Sequence, residues 1–452
     1  METSKVLQKN IYSTFFKYVS LNVLSMFGLS LYVLADTFFV SNGVGSDGLI
    51  ALNLALPAFS LINGIGLLMG IGGATVFAIA LGRGEKHKLN RIFTQTFIIA
   101  AAIGILLTLI GLLFSEKIAV LLGATGSIIP LTQTYVMMIL IFACAFILNN
   151  LMIAFVRNDG NPKLSMFSML AACLFNIVFD YIFIFPLQMG MFGAALATGV
   201  APILSMLILS SHFIKKHNSF KFEKCKVRGS EIRQTLFTGM PSFISEFSSG
   251  IVIFIFNTVI LTIAGGIGVA AYGIIANIAL VCVAIFTGIG QGIQPVASVN
   301  FGAGNMKNVR KTFSLACGVA LVCGLLFYFI GQFFPQNIAM MFNSSGNPQL
   351  TQYTVEGIRV YFTAFILMGI NIVITSFFAA ISKPKPSFII SLSRGLAAVL
   401  PFVLILPAYY GLFGVWVSVP IAELLTFAFS VTYSILFFRK QKEAALHIST
   451  AS

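Results

Sequence analysis

The stretch Gly82-Arg-Gly-Glu-Lys-His-Lys-Leu-Asn-Arg-Ile-Phe93 recurs about 220 residues later as Gly302-Ala-Gly-Asn-Met-Lys-Asn-Val-Arg-Lys-Thr-Phe313. Two shorter matches keep the same offset: Gly70-Ile-Gly72 with Gly290-Gln-Gly292, and Gly190-Met-Phe-Gly193 with Gly411-Leu-Phe-Gly414. Such self-similarity indicates a duplicated unit. We therefore predict two lobes, residues 1–214 and 236–452, joined by a basic linker over 215–235.

The composition places both lobes in a membrane. Of the 452 residues, 58% are hydrophobic and only 9% are charged, whereas a soluble domain carries roughly 25% charged residues. Apolar runs of roughly 20 residues recur along the whole chain, which is the length that crosses a bilayer as a helix. We predict an all-α polytopic membrane protein with 12 transmembrane helices in two pseudo-symmetric six-helix lobes around a central cleft. The predicted spans are 14–40, 49–81, 92–114, 128–156, 164–185, 191–214, 236–263, 268–300, 312–334, 353–381, 387–407 and 411–438.

The basic residues predict the orientation. All 27 Lys and Arg residues except Lys117, Arg359 and Arg394 lie near the termini or in the even-numbered connections between spans. By the positive-inside rule, those connections and both termini face the cytoplasm of a multi-pass plasma (inner) membrane protein. This topology also explains the net charge of +14. We therefore expect the lipid bilayer, and no nucleic acid, as the basic protein's partner, and we expect a monomer.

The Cys and His residues argue against an enzyme. The six Cys residues show no CxxC spacing, and the four His residues fall in or beside charged, loop-like segments. A membrane-embedded enzyme would need a nucleophile and base, or a metal constellation, at the membrane. We expect neither catalysis nor a cofactor.

Asp36 is a lone carboxylate in the apolar run Leu31-Tyr-Val-Leu-Ala-Asp-Thr-Phe-Phe-Val40. Its insertion costs about 2.5–3.5 kcal/mol or more, so a function or a hidden partner is expected. In span five, Asn176 and Asp180 are four residues apart and share a helix face, and Thr198 follows in span six. Together they form a candidate cation site. Two carboxylates in a dry site repel, so one could carry a proton, and the same oxygen atoms could instead hold Na⁺. The alternative is a structural hydrogen-bond network that pins the helices.

Other polar groups fall within the predicted spans. Glu246 lies among serines and is either a substrate or proton site or a structural contact between helices. We expect a structural role for Glu423 and Arg394. We expect a substrate cleft to be lined by Glu246, Asn53, Gln291, Gln294 and Tyr32. The chain also has 46 Phe and 16 Met residues, which supply adaptable apolar surface for bulky aromatic cations.

These motifs together resemble the multidrug and toxic compound extrusion (MATE) family of the MOP superfamily. The resemblance is carried by Asp36-Thr-Phe-Phe-Val40, Gly82-Arg-Gly84, Asn176 with Asp180, Gly190 with Gly193, and Gln294-Pro-Val-Ala-Ser-Val-Asn-Phe-Gly-Ala-Gly304. It implies two lobes around a V-shaped cleft, and export of small organic cations, including drugs, in exchange for H⁺ or Na⁺. It also implies a first-lobe cation pocket at Asp36, Asn176, Asp180 and Thr198. Some branches carry a second-lobe acid where Glu246 lies and another deep in span ten, but residues 361–380 contain no Asp or Glu.

Two other functions fit the same repeat. A flippase or exporter of a lipid-linked precursor or an endogenous metabolite belongs to the same superfamily, but pyrophosphate would need a strongly cationic cavity. In the sequence only Arg394 lies deep in a span, which counts against that function. A duplicated bundle could also form a channel.

Overall fold

The computed structural model describes residues 10–343 and 346–451, with side chains up to residue 443. Within these ranges the chain forms helices and no strand. Their bounds are α1 Ile11–Gly43, α2 Ser46–Gly82, α3 Lys86–Leu121, α4 Ile128–Ile141, α5 Ala143–Asn158, α6 Pro162–Ile184, α7 Gly190–Ile214, α8 Gly229–Gly302, α9 Met306–Phe333, α10 Pro335–Phe342, α11 Pro348–Tyr361, α12 Phe365–Ala380, α13 Pro384–Leu392 and α14 Val399–Ala451. A 3₁₀ turn, Phe362–Ala364, joins α11 to α12, and a π-helical turn, Ser393–Ala397, joins α13 to α14. Helices are expected because a bilayer offers no partner for free backbone groups.

Glycines divide the longest helices into separate spans. At about 1.5 Å per residue, the 74 residues of α8 are too long to cross a bilayer once. Gly265 breaks α8 with φ 61°, and Gly411 breaks α14 with φ 53°; glycine adopts these angles without a steric penalty. The helices α4 and α5 meet at 48° and form one bent span. If α8 and α14 are each divided at their glycine, α4 and α5 are taken as one span, and α11 with α12 and α13 with the first part of α14 are each taken as one span, the described residues contain the twelve predicted spans.

The linker between the lobes is ordered against the first lobe. Its last residues are already helical, because α8 begins at Gly229 rather than at the predicted 236. Phe220 is buried, with its ring centroid 4.4 Å from that of Phe93. The backbone N–H of Ser219 donates to Asp159 Oδ2 at 2.8 Å. The same oxygen lies 2.8 Å from Nε2 of His212, which is buried in α7. His212 thus lies in the last turn of α7, beside the charged linker.

The two lobes are in close contact at the end of the bundle that carries the connections 83–85, 159–161, 215–228, 303–305 and 381–383, which we call the basic end. A methyl group on Gly82 would lie 2.2 Å from the carbonyl oxygen of Val299, and one on Gly302 would lie 2.2 Å from that of Ile79. The two contacts are related by the sequence repeat. Glycine is required here because backbone occupies the space of a side chain.

The gap between α2 and α8 widens away from the basic end. A methyl group on Gly239 would lie 2.0 Å from the carbonyl oxygen of Leu68. At Gly64, one turn further along α2, the nearest atom of α8 would be 3.0 Å away. At Gly250 the nearest atom of α2 would be 3.4 Å away. The lobes are therefore tightly closed from the basic end as far as Gly239 and approach each other less closely beyond Gly64, where we place the predicted cleft.

Candidate functional site

A pair of acids is buried in the first lobe. Asp36 on α1 is 7% exposed and Asp180 on α6 is fully buried. Their carboxyl groups lie within hydrogen-bonding distance of each other. Two carboxylates cannot bond directly, so this contact requires a proton on one of them or a cation between them. The site therefore has the chemistry of a cation-binding pair.

An amide and a hydroxyl complete the predicted set of four. Asn176, one turn before Asp180, is assigned with its amide nitrogen toward the carboxylate, because the opposite orientation would place two acceptors face to face. Its Nδ2 then donates to Asp180 Oδ2 at 3.0 Å. Its Oδ1 accepts from the Thr198 backbone N–H at 3.3 Å and from the Thr198 hydroxyl at 3.1 Å. The structure thus brings Asp36, Asn176, Asp180 and Thr198 together.

The acid pair retains unused acceptor capacity. Oδ1 of Asp36 and Oδ1 of Asp180 are both buried, and neither receives a hydrogen bond within the described residues. In the same part of the chain, neither carboxyl group forms a salt bridge with Lys, Arg or His. A buried carboxylate without a donor is costly. Oxygen atoms of this kind suit either a proton or a hard cation such as Na⁺.

Two tyrosines flank the pair. Tyr135 on α4 is buried, and its hydroxyl lies near Thr198 and near both carboxyl groups. Tyr32 on α1 lies near Asp36, Asp180 and Glu246. We placed Tyr32 in the cleft from sequence but missed Tyr135. A tyrosine in an apolar run gives no sign of whether it faces lipid or a polar site.

Glu246 joins the two lobes just beyond the close glycine contacts. Asn63 Nδ2 on α2 donates to Glu246 Oε1 on α8 at 2.8 Å. Asn150 Nδ2 on α5 in turn donates to Asn63 Oδ1 at 2.9 Å. The carboxylate is half-buried at the narrow end of the cleft, with one protein donor in the described residues. This position allows it to meet a cation entering from the open end.

The other predicted cleft residues separate into two groups. Asn53 is exposed on α2. Gln291 is half-buried and Gln294 is 2% exposed, and their Oε1 atoms accept from Arg157 Nη1 and Nη2 at 2.8 and 3.0 Å. Arg157 also donates to Asn22 on α1 at 2.7 Å.

Arg157 is thus a buried connection between the lobes. It is 2% exposed, although we assigned it from sequence to a loop. Our prediction that Arg394 is the one deep cation is therefore wrong. A charge at the end of a helix is ambiguous in sequence, because the opposing lobe that buries it is far away along the chain.

The second lobe contains a different buried acid. Arg394 Nε donates to Glu423 Oε1 at 2.8 Å. Asn371 Nδ2 donates to Glu423 Oε2 at 2.8 Å, and Asn371 Oδ1 accepts from Ser430 at 2.8 Å. This carboxylate has a permanent counter-charge and two donors, so its surroundings neutralise it without a mobile ion.

Twelve spans in duplicated lobes, a cleft closed at one end and a polar site at membrane depth define the architecture of a secondary transporter. The family model MatE matches residues 22–182 and 241–405, one block in each lobe. The chain belongs to this family, and it is therefore a MATE transporter.

Curated relatives and solved structures agree with this assignment. The chain is 28% identical over 400 residues to the multidrug export protein MepA of Staphylococcus aureus (strain MSSA476), covering 87% of each chain. It is 27% identical over 398 residues to MepA of Staphylococcus saprophyticus, covering 87% of this chain and 86% of that protein. Its fold matches a MATE protein crystallised with MaL6, with a TM-score of 0.91 and 24% identity over 98% of this chain and 100% of the other. A MATE transporter in an outward-facing conformation gives a TM-score of 0.90 at 23% identity, covering 98% and 99%.

Proposed function

We propose that the protein is an antiporter that exports organic cations, including drugs, in exchange for H⁺ or Na⁺ by alternating access. Similarity to multidrug export proteins supports the efflux of organic compounds. The basic end carries most of the positive connections, so we place it and both termini in the cytoplasm. The described state then opens its cleft to the outside.

The observation that carries the coupling is the contact between Asp36 and Asp180. Each keeps a buried oxygen without a donor within the described residues. Releasing the shared cation would leave two facing charges in a dry site, so the pair is far more stable when occupied. Occupancy therefore favours whichever arrangement of α1, α6 and α7 holds these groups together.

Coupling requires the ion to bind the two cleft states with different affinity. The pair joins α1 to α6, and Asn176 joins α6 to α7 through Thr198. An ion that draws Asp36 toward Asp180 thus changes the position of α1 relative to its own lobe. Helix α1 also packs against the second lobe at Gly288 and Gly292 of α8. A movement of α1 can therefore alter the contact between lobes.

The proposed substrate site lies between the lobes. Glu246 supplies a negative charge at the narrow end of the cleft, and Tyr32 lies near both Glu246 and the acid pair. An organic cation can pair with the carboxylate and also pack against the face of an aromatic ring. Because ion and substrate would share one region, loading of the acid pair favours release of the exported cation.

The deciding experiment uses purified protein in proteoliposomes loaded with ethidium. A pH gradient and a Na⁺ gradient are imposed in separate arms, so that efflux identifies the driving ion. We expect Asp36→Asn to abolish gradient-driven efflux, because the neutral amide cannot exchange a proton or balance a cation.

Asp47→Asn is the matched control. Asp47 is an exposed acid in the first turn of α2, outside the site. The control should retain wild-type efflux in the arm that drives transport. Unchanged gradient-driven efflux by Asp36→Asn would reject the coupling role of the acid pair, and no efflux by wild type in either arm would reject the coupled-antiport proposal.

A further inference from the structure

A recess with basic and apolar walls lies at the basic end, remote from the acid pair. Its volume is about 590 Å³. Tyr12 of α1 forms one wall, the first turns of α9 form another, and the end of α14 forms the third. The wall from α1 belongs to the first lobe and the other two belong to the second, so the cavity spans the junction between lobes.

Four cations converge on this cavity. Lys307, Arg310 and Lys311 lie in the first two turns of α9, and Lys442 lies on α14. Within the described residues none of the four forms a salt bridge with a carboxylate. The positive-inside rule explains their sign but does not require them to meet at one cavity. Uncompensated like charges around a recess favour an anionic ligand.

The lining of the cavity is amphipathic. Lys311 Nζ lies 5.3 Å from the centroid of the Tyr12 ring, and the Arg310 guanidinium lies 5.9 Å from that of Phe438. Met306 and Leu315 add apolar surface to the same recess. A free inorganic anion gains no binding energy from apolar walls. A lipid presents an anionic headgroup directly above an apolar chain and matches both parts.

We propose that this cavity binds the phosphodiester headgroup of an anionic membrane phospholipid. Basic recesses between helices at the cytoplasmic face are suited to such headgroups. The bound lipid contacts both lobes at the end where they are closed, and it therefore stabilises the closed basic end over a conformation in which that end opens. The proposal does not depend on which ion drives transport.

Binding is tested with full-length protein in a neutral detergent, titrated with phosphatidylglycerol or phosphatidylcholine and followed by native mass spectrometry. The triple variant Lys307→Gln/Arg310→Gln/Lys311→Gln removes three charges from the cavity. We expect phosphatidylglycerol to bind about 100-fold more weakly to this variant, from the loss of three headgroup charges. The single variant Lys442→Gln tests another wall of the same cavity and should weaken binding about fivefold.

The matched control removes three charges elsewhere at the basic end. Lys215→Gln/Lys216→Gln/Lys224→Gln changes exposed residues of the linker and should keep wild-type affinity. Equal weakening in the control and in the triple variant would show that overall charge governs binding, and the site would be rejected. Displacement of the lipid by millimolar inorganic phosphate would identify a free-anion site and overturn the lipid assignment, as would equal affinity for phosphatidylcholine.

The effect on conformation has its own readout. Spin labels at Lys86 and Lys385, which are exposed on opposite lobes at the basic end, report the separation of the lobes in a cysteine-free background. Phosphatidylglycerol vesicles should increase the population with the short distance relative to phosphatidylcholine vesicles. The triple variant should lose this lipid dependence, whereas the linker control should keep it. An unchanged distribution in wild type would refute the stabilising effect.

Discussion

The first lobe holds two acids against each other, whereas the second lobe holds one acid against a base. Asp36 and Asp180 share a buried contact without a salt bridge to any described cation, but Glu423 is paired with Arg394 at 2.8 Å. A permanent ion pair is neutral in every state of the protein. An acid pair is neutralised only by a proton or a cation, and either of these can dissociate. We therefore propose that the duplicated lobes have different roles: the first exchanges a cation, whereas the acid of the second holds its own helices together.

The sharpest test of this contrast compares Asp180→Asn with Glu423→Gln. We expect Asp180→Asn to abolish ion-driven dye efflux while thermal stability in detergent is kept or raised, because the change removes a repulsion. Glu423→Gln should have the opposite profile, with lower stability and efflux in proportion to the folded fraction. Efflux assays on proteoliposomes and circular-dichroism melting on the same preparations separate the two outcomes. Equal loss of efflux per folded molecule in both variants would remove the distinction between the lobes.

The next effect concerns the ion pair alone. Arg394→Met leaves Glu423 buried without its counter-charge and should destabilise the protein by about 3–5 kcal/mol. The double variant Arg394→Met/Glu423→Met should recover most of that loss, since no charge remains. Detergent-induced unfolding followed by circular dichroism measures both variants.

The control for that experiment is the exposed pair Arg439–Glu443, whose side chains are 76% and 55% exposed. Arg439→Gln should change stability by less than about 1 kcal/mol. If the double variant were as unstable as Arg394→Met, the loss would come from packing of the arginine side chain rather than from its charge.

Each acid site also has an amide partner, and the two amides should differ in what they affect. Asn371→Leu removes a donor to Glu423 and the acceptor of Ser430, so it should cost about 1–3 kcal/mol of stability. Asn176→Leu should instead raise the ion concentration that half-saturates transport by about tenfold, because it removes the donor to Asp180. Melting curves and ion titrations of dye efflux distinguish these results. If the role of the first-lobe site were only structural, Asn176→Leu would lose stability as Asn371→Leu does, and the half-saturating ion concentration would not change.

The smallest expected effect is at Tyr135. Tyr135→Phe removes a hydroxyl close to Thr198 and should shift the half-saturating ion concentration by about threefold without changing stability. Tyr181→Phe on α6 is the matched control, since this tyrosine is 53% exposed. Ion titrations of dye efflux measure the shift, and identical curves for both variants would place Tyr135 outside the cation site.

The sequence predicts the first-lobe site better than the contacts between lobes. A carboxylate in an apolar run is conspicuous, and the spacing of Asn176 and Asp180 on one helix face is local information. The hydrogen bonds from Asn150 to Asn63 and from Asn63 to Glu246 are not local, because they join three helices from two lobes. Arg157 was misplaced for the same reason. Apolar periodicity gives the depth of a residue but not the helix that it meets.

The paired carbonyl contacts at Gly82 and Gly302 make the change of state abrupt. Closely packed atoms lose about a quarter to a half of their attraction when about 0.5–1 Å of separation is added, so even a small stretch of these contacts is costly. The repeat relates the two contacts, and a rotation of one lobe against the other must release both together. We propose that such a junction has two settings, closed and open, so that the two ends of the cleft are not partly open at the same time.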